Sequence, residues 1–346
     1  MQPAHPLVAT ATSEVVWYLS YRLTDAERRA FADAAGGVVL SGQAGLRAAF
    51  GLKRDGYSGR LWVDPARWAK AENANADTLL GDLWRTRQQE LEVTELISPG
   101  SFVDDGDEVG LRRAVECEAA WANEAGGRVS LCLHNRWLTR DLGTLVAALQ
   151  ELAMPLALAF GVAYDPLDRR GAVRGLVEVL RSCSDVAVLR CDIGAIGAVA
   201  NGAALGAVGT AGNVRHGVPA HRSGGGSSDD TSPTVFIEQT LSFKRGSLLE
   251  SLPPYAGMRC WLECCEGSDL RRFATDESAP QAMRHNRMAI GNVAGRVLAN
   301  LPALRPQAFS DLCADAIAAA SEWSVRAEQL MDVRHQVEAW ARLGGR

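Results

Sequence analysis

No apolar run in the 346 residues approaches the roughly 20 that a membrane-spanning helix requires. The opening segment MQPAHPLVATATSEVVWYLS has no basic region followed by an apolar core, so it does not read as a secretory leader. Together these absences make a cytoplasmic protein with no membrane partner the expectation. Cysteine is too sparse for a disulfide scaffold, at eight in the chain. Cys132 in VSLCLHN and Cys191 in VLRCDIG sit inside apolar runs, and with Cys117, Cys183 and Cys313 they read as small buried side chains. Positive charge is not in excess either: 36 Lys and Arg against 41 Asp and Glu give a formal net charge of −5. The chain therefore has no general attraction for a polyanion, and any nucleic-acid contact must use a local basic face.

What is present is a globular composition, 47% hydrophobic and 22% charged, enough for one large domain or two ordinary ones. Short β-branched and apolar runs recur: EVVWYLS, GGVVLSG, GRLWVDP, VTELISP, RVSLCLHN, PLALAFG, VAVLRCD, LGAVGT and TVFIEQ. Helix-like segments follow them. Thr24-Asp25-Ala26-Glu27 is a capping box, and 139–152 places Leu142, Leu145, Leu149 and Leu152 on one face with Thr139 as N-cap. Strand alternating with helix predicts a parallel sheet with crossover helices. Nine strands fit a (β/α)8 TIM-type barrel plus one extra strand better than a doubly wound sheet of five or six. The barrel is expected over 1–300, and 301–346 is expected to be a C-terminal helical extension, with Trp323, Leu330, Val333, Val337 and Trp340 at helical spacing. That extension would cover the barrel or a neighbouring subunit, which makes a homodimer an expectation. The stretch 216–233 is rich in Gly and Ser and reads as a surface loop, either a lid or an inert linker.

In a barrel the chemistry gathers where strands end. That mouth would collect Ser41, Asp64, His134 with Asn135, Asp165, Asp192, the loop from Thr210 to His216, and Glu238. In GAVGTAGNVRH, Gly206, Gly209 and Gly212 would let backbone approach a ligand, Thr210 closes the strand, and Arg215 and His216 supply cationic or hydrogen-bonding groups. Asp64 in LWVDP and Asp192 in LRCDIG can serve as nucleophile, general base or acceptor for a ring nitrogen; each can equally cap a helix. Glu238 closes TVFIE. His134 can orient a substrate or be a satisfied core histidine.

In MRCWLECCEGSDLRRF, Cys260, Cys264 and Cys265 fall within six positions, and His285 lies 20 residues beyond Cys265 in MRHNRMAIG. Three thiols and one imidazole would close a structural metal site, with Cys264 and Cys265 competing for one position; a thiol-rich core is the alternative. A redox pair needs CxxC, and the spacing from Cys260 to Cys264 is CxxxC.

A barrel carrying a zinc loop late in the chain, a Gly-rich strand-end loop before it and a closing His-Asn pair resembles the tRNA-guanine transglycosylase family, including its DNA-modifying relatives. The resemblance covers mainly residues 186–297. The family's signature is C-x-C-x2-C followed by a distant His-Asn: Cys260 and Cys265 keep the outer spacing, His285-Asn286 repeats the closing pair, and Leu262 stands at the middle position, so that Cys264 is the candidate third ligand. The resemblance implies structural zinc on Cys260, Cys264, Cys265 and His285, within a zinc-loop region spanning 258–290. It implies a purine or 7-deazapurine base bound at GAVGT, Glu238 as the carboxylate that attacks the ribose anomeric carbon, and Asp64 as general acid/base. The substrate would be tRNA or DNA. Two other readings stand beside this transferase: a barrel lyase or hydrolase for a small anionic metabolite, held by 206–216 with proton transfer by Asp192 or His134, and a non-catalytic barrel that binds nucleic acid or protein.

Overall fold

The computed structural model describes residues 14–20, 23–34, 36–66, 78–162, 165–217, 230–253, 258–328 and 333–344. Eight strands form one all-parallel sheet: β1 (Val15–Tyr18), β2 (Gly37–Ser41), β3 (Arg60–Asp64), β4 (Ser101–Val103), β5 (Val129–His134), β6 (Leu156–Gly161), β7 (Val186–Cys191) and β8 (Leu205–Gly209). The crossovers carry α1 (Asp25–Ala34), α2 (Gly42–Arg54), α3 (Thr78–Glu90), α4 (Glu108–Ala125), α5 (Leu142–Leu152), α6 (Ala172–Ser182) and α7 (Gly194–Ala200). The strand order 3-2-1-8-7-6-5-4 sets the first strand beside the last, with register Val15 to Gly206 through Tyr18 to Gly209. The expected eight parallel strands with interleaved helices are therefore present in a curled sheet whose edges are β3 and β4.

Among the described residues no ladder joins those edges, and the reason is local. The expected strand VTELISP contains Pro99, which has no N–H to give, and it contributes only an isolated pairing of Ile97 with Arg128. On the other side of Ile97, where a neighbouring strand would bond, the side chain of Gln88 accepts from its N–H at 3.0 Å and donates to its carbonyl at 2.9 Å. A three-residue strand starts after the break, at Ser101, with the Glu118 carboxylate accepting from Gly100 N and Ser101 Oγ. Thr94 N donates to Leu61 O at 2.8 Å and is the nearest approach to a closing bond.

Both faces of the sheet are buried, which is why its strands read as continuous apolar runs. One face packs on the helices through residues such as Leu61, Leu131, Leu133, Leu158, Val188 and Val208. The other lines the inside of the curl with Val16, Tyr18, Val39, Trp62, Cys132, Ala159, Leu189 and Ala207.

After β8 come an antiparallel hairpin, β9 (Thr234–Ile237) and β10 (Ser242–Arg245), then α8 (Gly246–Glu250), α9 (Ala279–Leu298), α10 (Arg305–Ala327) and α11 (His335–Ala341). TVFIE is thus a strand outside the parallel sheet, and its partner β10 carries no apolar run that marks it in the sequence. The C-terminal helices pack over the short, Ala- and Gly-rich α7: a Cβ on Gly197 would stand 2.6 Å from Phe309 and 2.7 Å from Trp340. Phe309, Cys313, Val337 and Trp340 belong to the same buried cluster as the sheet. No described helix is long and apolar enough to cross a membrane.

Some local expectations need correction. The capping box forms, with Thr24 N donating to Glu27 Oε2 and Glu27 N to Thr24 Oγ1. The α5 cap is Asp141 instead of Thr139, because the 3-10 turn Asn135–Leu138 takes up the preceding residues and Thr139 Oγ1 donates back to Arg136 O. Leu145 and Leu149 are fully buried, whereas Leu142 and Leu152 only border the core. Cys117, on α4, is exposed, and Cys183, the extended residue that follows α6, is half-buried. Residues 218–229 of the Gly/Ser stretch and Leu330 lie outside the described residues.

Close packing of α6 on the turn before α5 depends on Gly175, where a Cβ would stand 1.9 Å from the Leu138 carbonyl oxygen. Gly175→Ala is expected to destabilise the fold by about 1–3 kcal/mol, read from the urea unfolding midpoint.

Candidate functional site

The cysteine-rich stretch folds as a tight turn. Gly267 N donates to Cys260 O, Cys265 N to Leu262 O, and Ser268 N to Cys265 O, each at 2.8 Å. The reversal uses Glu266 and Gly267 at positive φ, 49° and 82°. The turn brings Cys260, Cys264 and Cys265 to His285 of α9, with all four ligand atoms within 4.8 Å of one another. Cys264 and Cys265 do not compete, as their adjacency had suggested: their sulfurs are 3.6 Å apart and lie 3.9 and 3.3 Å from His285 Nδ1. A tetrahedral ion with metal–sulfur bonds of about 2.3 Å and metal–nitrogen bonds of about 2.0 Å would demand edges near 3.8 and 3.5 Å, so the donor set fits a metal ion.

Its surroundings complete the arrangement. His285 Nε2 lies 2.7 Å from Phe236 O; a carbonyl only accepts, so Nε2 carries the proton and the Nδ1 lone pair faces the sulfurs. A hydrogen bond from Cys264 pulls Cys260 down to about 4, and the same bond pushes Cys264 up. Arg272 Nη2 donates to Cys265 Sγ at 3.2 Å and so offsets thiolate charge.

The second gathering is at the strand ends. Asp165, beyond β6, accepts from Leu167 N at 3.0 Å and caps a 3-10 turn, and Asp192, beyond β7, accepts from Gly194 N at 3.1 Å at the start of α7. Their remaining oxygens converge. Arg334 Nη1 lies 2.6 Å from Asp165 and 3.2 Å from Asp192, while Gln336 Nε2 lies 2.5 Å from Asp165 and 2.9 Å from Asp192. Burial, then the charge of Asp192, pushes Asp165 well above the usual carboxylate range. Burial works to raise Asp192 as well, but the hydrogen bond from Asp165 and the Arg334 charge outweigh it and hold Asp192 low. The two shifts run in opposite directions, so of the pair Asp165 is the member that holds a proton more tightly.

Beside the pair, the loop after β8 crosses over β7 to reach β6, where Gly217 N donates to Phe160 O at 2.9 Å. The crossing places Arg215 and His216 over the Asp165–Asp192 end. A cavity of about 310 Å³ opens among Asp165, Asp168, Gly212, Arg215, His216 and Arg334. Burial pulls Arg215 down to about 9, still a cation at neutral pH, and burial followed by the Arg190 charge pulls His216 below its usual value, so it is neutral there.

Asp64 belongs to a third group, inside the curl. It accepts from Tyr18 Oη and from Ala66 N, and lies 3.8 Å from Arg190 Nε. Arg190 donates to Ser41 Oγ at 2.7 Å and stacks on the Tyr18 ring, 4.6 Å from its centroid. It reaches inward because β7 bulges between Val188 and Cys191, with Arg190 at φ 53°.

Of the residues expected at the mouth, the structure brings together Asp165, Asp192, Gly212, Arg215 and His216. Gly206 serves packing instead of ligand approach: a Cβ would stand 2.4 Å from Ala195 O of α7. Gly209 serves the loop's return, with Val214 O at 2.3 Å from a Cβ there. Thr210 Oγ1 ties β8 to β1, accepting from Ser20 N and donating to Tyr18 O. His134 Nδ1 accepts from Arg136 N at 3.3 Å and caps the following turn. Glu238 is not brought to the mouth. It ends β9, outside the sheet, where its Oε1 accepts from Asn292 Nδ2 at 2.7 Å and lies 3.5 Å from Arg296 of α9.

Sequence reading missed Arg190, Asp168, Arg334 and Gln336. Arg190 had a signal, a charge inside the buried run VAVLRC; Arg334 and Gln336 had none, because only the fold returns the C-terminus to β6 and β7. No protein-family model matches the chain, and no curated protein does.

Two outcomes test these arrangements. Metal analysis of purified protein should find about one ion per chain, and Cys265→Ser should weaken retention by roughly tenfold or more, the loss typical even of an outer-shell partner. For Asp165, the folded group keeps its proton above the pH near 4 at which the unfolded one loses it. Stability should therefore fall by about 1.4 kcal/mol per pH unit from there up to the folded pKa and then level. Asp165→Asn should remove that fall from a series of urea midpoints.

Proposed function

We infer that this protein is a divergent transglycosylase-like enzyme that exchanges a guanine-type base in nucleic acid, on a (β/α)8-type barrel with a structural zinc clasp. The observation that carries the reading is the Asp165–Asp192 pair at adjacent strand ends, read as one acid and one carboxylate, with Asp165 on the wall of a cavity of about 310 Å³. The Cys3His cluster after the last parallel strand supports it.

An exchange at an anomeric carbon needs both members of such a pair. As the C–N glycosidic bond breaks, the base leaves with the bonding electrons and takes the proton held at Asp165. Asp192, the carboxylate of the pair, bonds to the anomeric carbon, and Asp165 is left ionised. The incoming base then attacks the same carbon, displaces the carboxylate and returns its proton to Asp165. Arg334 and Gln336, touching both carboxyls, hold the pair through the change of charge, and neutral His216 offers a hydrogen bond to the base edge. Glu238, the nucleophile implied by the family resemblance, is replaced in this reading by the pair, because it ends a strand outside the sheet. Zinc would be held by Cys260, Cys264, Cys265 and His285, and would supply a cross-link between the 258–270 turn and α9.

Incubation of the metal-loaded protein with labelled guanine and tRNA or duplex DNA tests the reading. Wild type is expected to incorporate label and to form a covalent protein–nucleic acid adduct, and Asp192→Asn to lose about 10³-fold or more in rate, as loss of a nucleophilic unit does. A folded, metal-loaded wild type that incorporates nothing into either nucleic acid sinks it.

A further inference from the structure

Arg215 is a cation in a place where burying one is costly. The residue is 8% exposed. Among the described residues it has no carboxylate at ion-pair distance. Its bonds are long, from Nε to Gly209 O at 3.3 Å and from Nη2 to Thr234 Oγ1 at 3.4 Å. The Phe243 ring lies under the guanidinium, 3.3 Å from centroid to Cζ. Nη1 donates to no acceptor among the described residues. Two long hydrogen bonds and an aromatic face do not replace the hydration a guanidinium loses.

The acids nearby are committed elsewhere. Asp165 is held by Arg334 and Gln336, and Asp168 accepts from Gln336 N at 3.1 Å. On the cavity wall beside Arg215, a Cβ on Gly212 would meet nothing within 4 Å, so the space in front of this loop is open. A planar guanidinium with a donor to spare, fixed from behind and facing a cavity, matches a group with two or more anionic oxygens.

We propose that this cavity is an oxyanion subsite in which Arg215 receives a phosphate or carboxylate group of the substrate, with Gly212 and His216 of the same loop around it. The assignment deepens the base-exchange reading and rests on it in one respect only: there, the group is a phosphate of the nucleotide whose base is exchanged.

Isothermal titration of the full, metal-loaded chain tests it, first with inorganic phosphate and with acetate, then with guanosine and guanosine 5′-monophosphate. Wild type is expected to bind at least one of the two anions, and Arg215→Met to weaken that binding about tenfold or more, with Arg215→Lys between them. Gly212→Asp is the second variant, since it sets a carboxylate in open space without touching the fold, and it should weaken anion binding as much. The nucleotide should bind about tenfold tighter than the nucleoside. The subsite is overturned if neither anion binds wild type, or if Gly212→Asp and Arg215→Met bind as wild type does. Binding of acetate but not phosphate keeps the subsite and removes the nucleic-acid reading. Phosphate binding without incorporation of labelled guanine keeps the subsite and removes base exchange.

Discussion

Asp165 and Asp192 are each held by a backbone N–H of the turn that follows, and both side chains are buried. Two carboxylates so placed cannot both be ionised without a large desolvation and repulsion cost. The structure offsets that cost with a clamp that touches both carboxyls, Arg334 and Gln336, brought from more than 140 residues away. Much else follows from the clamp. It requires the chain to return to the ends of β6 and β7 after α10, and it places α11 against α6. Room for that return comes from α7, seven residues long and built only of Gly, Ala, Ile and Val, over which Phe309 and Trp340 pack.

The same constraint separates what the sequence makes legible from what it does not. Strands buried on both faces are apolar throughout, so seven of the eight sheet strands stand out as runs, and the spacing of helical stretches between them points to parallel pairing. At β4 the signal misleads. Val93 to Pro99 has strand composition, yet its backbone groups are taken by Gln88 and by the isolated Ile97 pairing, and the ladder begins only at Ser101. Nothing in the local composition says that a glutamine nine positions before Ile97 will stand in for a strand. Strand-end position identified Asp165 and Asp192, which follow apolar runs, and Arg215 and His216, which lie in the loop after one. It could not say that Glu238, which also follows such a run, ends a hairpin beyond the sheet; TVFI is as apolar as the true sheet strands, and only pairing partners tell them apart.

Glycine shows a similar limit. In GAVGTAGNVRH the spacing suggests backbone approaching a ligand, but each glycine answers a different demand. Gly206 admits the α7 backbone, Gly209 admits the returning loop, and Gly212 alone borders the cavity. A missing Cβ records that something comes close, without saying whether it is ligand or protein.

The metal cluster stands apart from the carboxylates in chemistry but not in mechanics. Along β9, His285 and Asn286 act as a neighbouring strand would. His285 donates to Phe236 O, and Asn286 accepts from Phe236 N at 2.6 Å and donates to Thr234 O at 2.8 Å. The bond that orients His285 toward the sulfurs is thus one of the bonds that position β9. Thr234, at the start of that strand, accepts from Arg215, and Phe243 on the paired strand lies beneath its guanidinium. A buried cation at the mouth is therefore held by a hairpin, and the hairpin is held by the helix that closes the Cys3His cluster. This gives the His-Asn pair a role in which both residues are needed: histidine faces the sulfurs while asparagine completes the strand, and neither position could be exchanged with its neighbour without undoing both attachments.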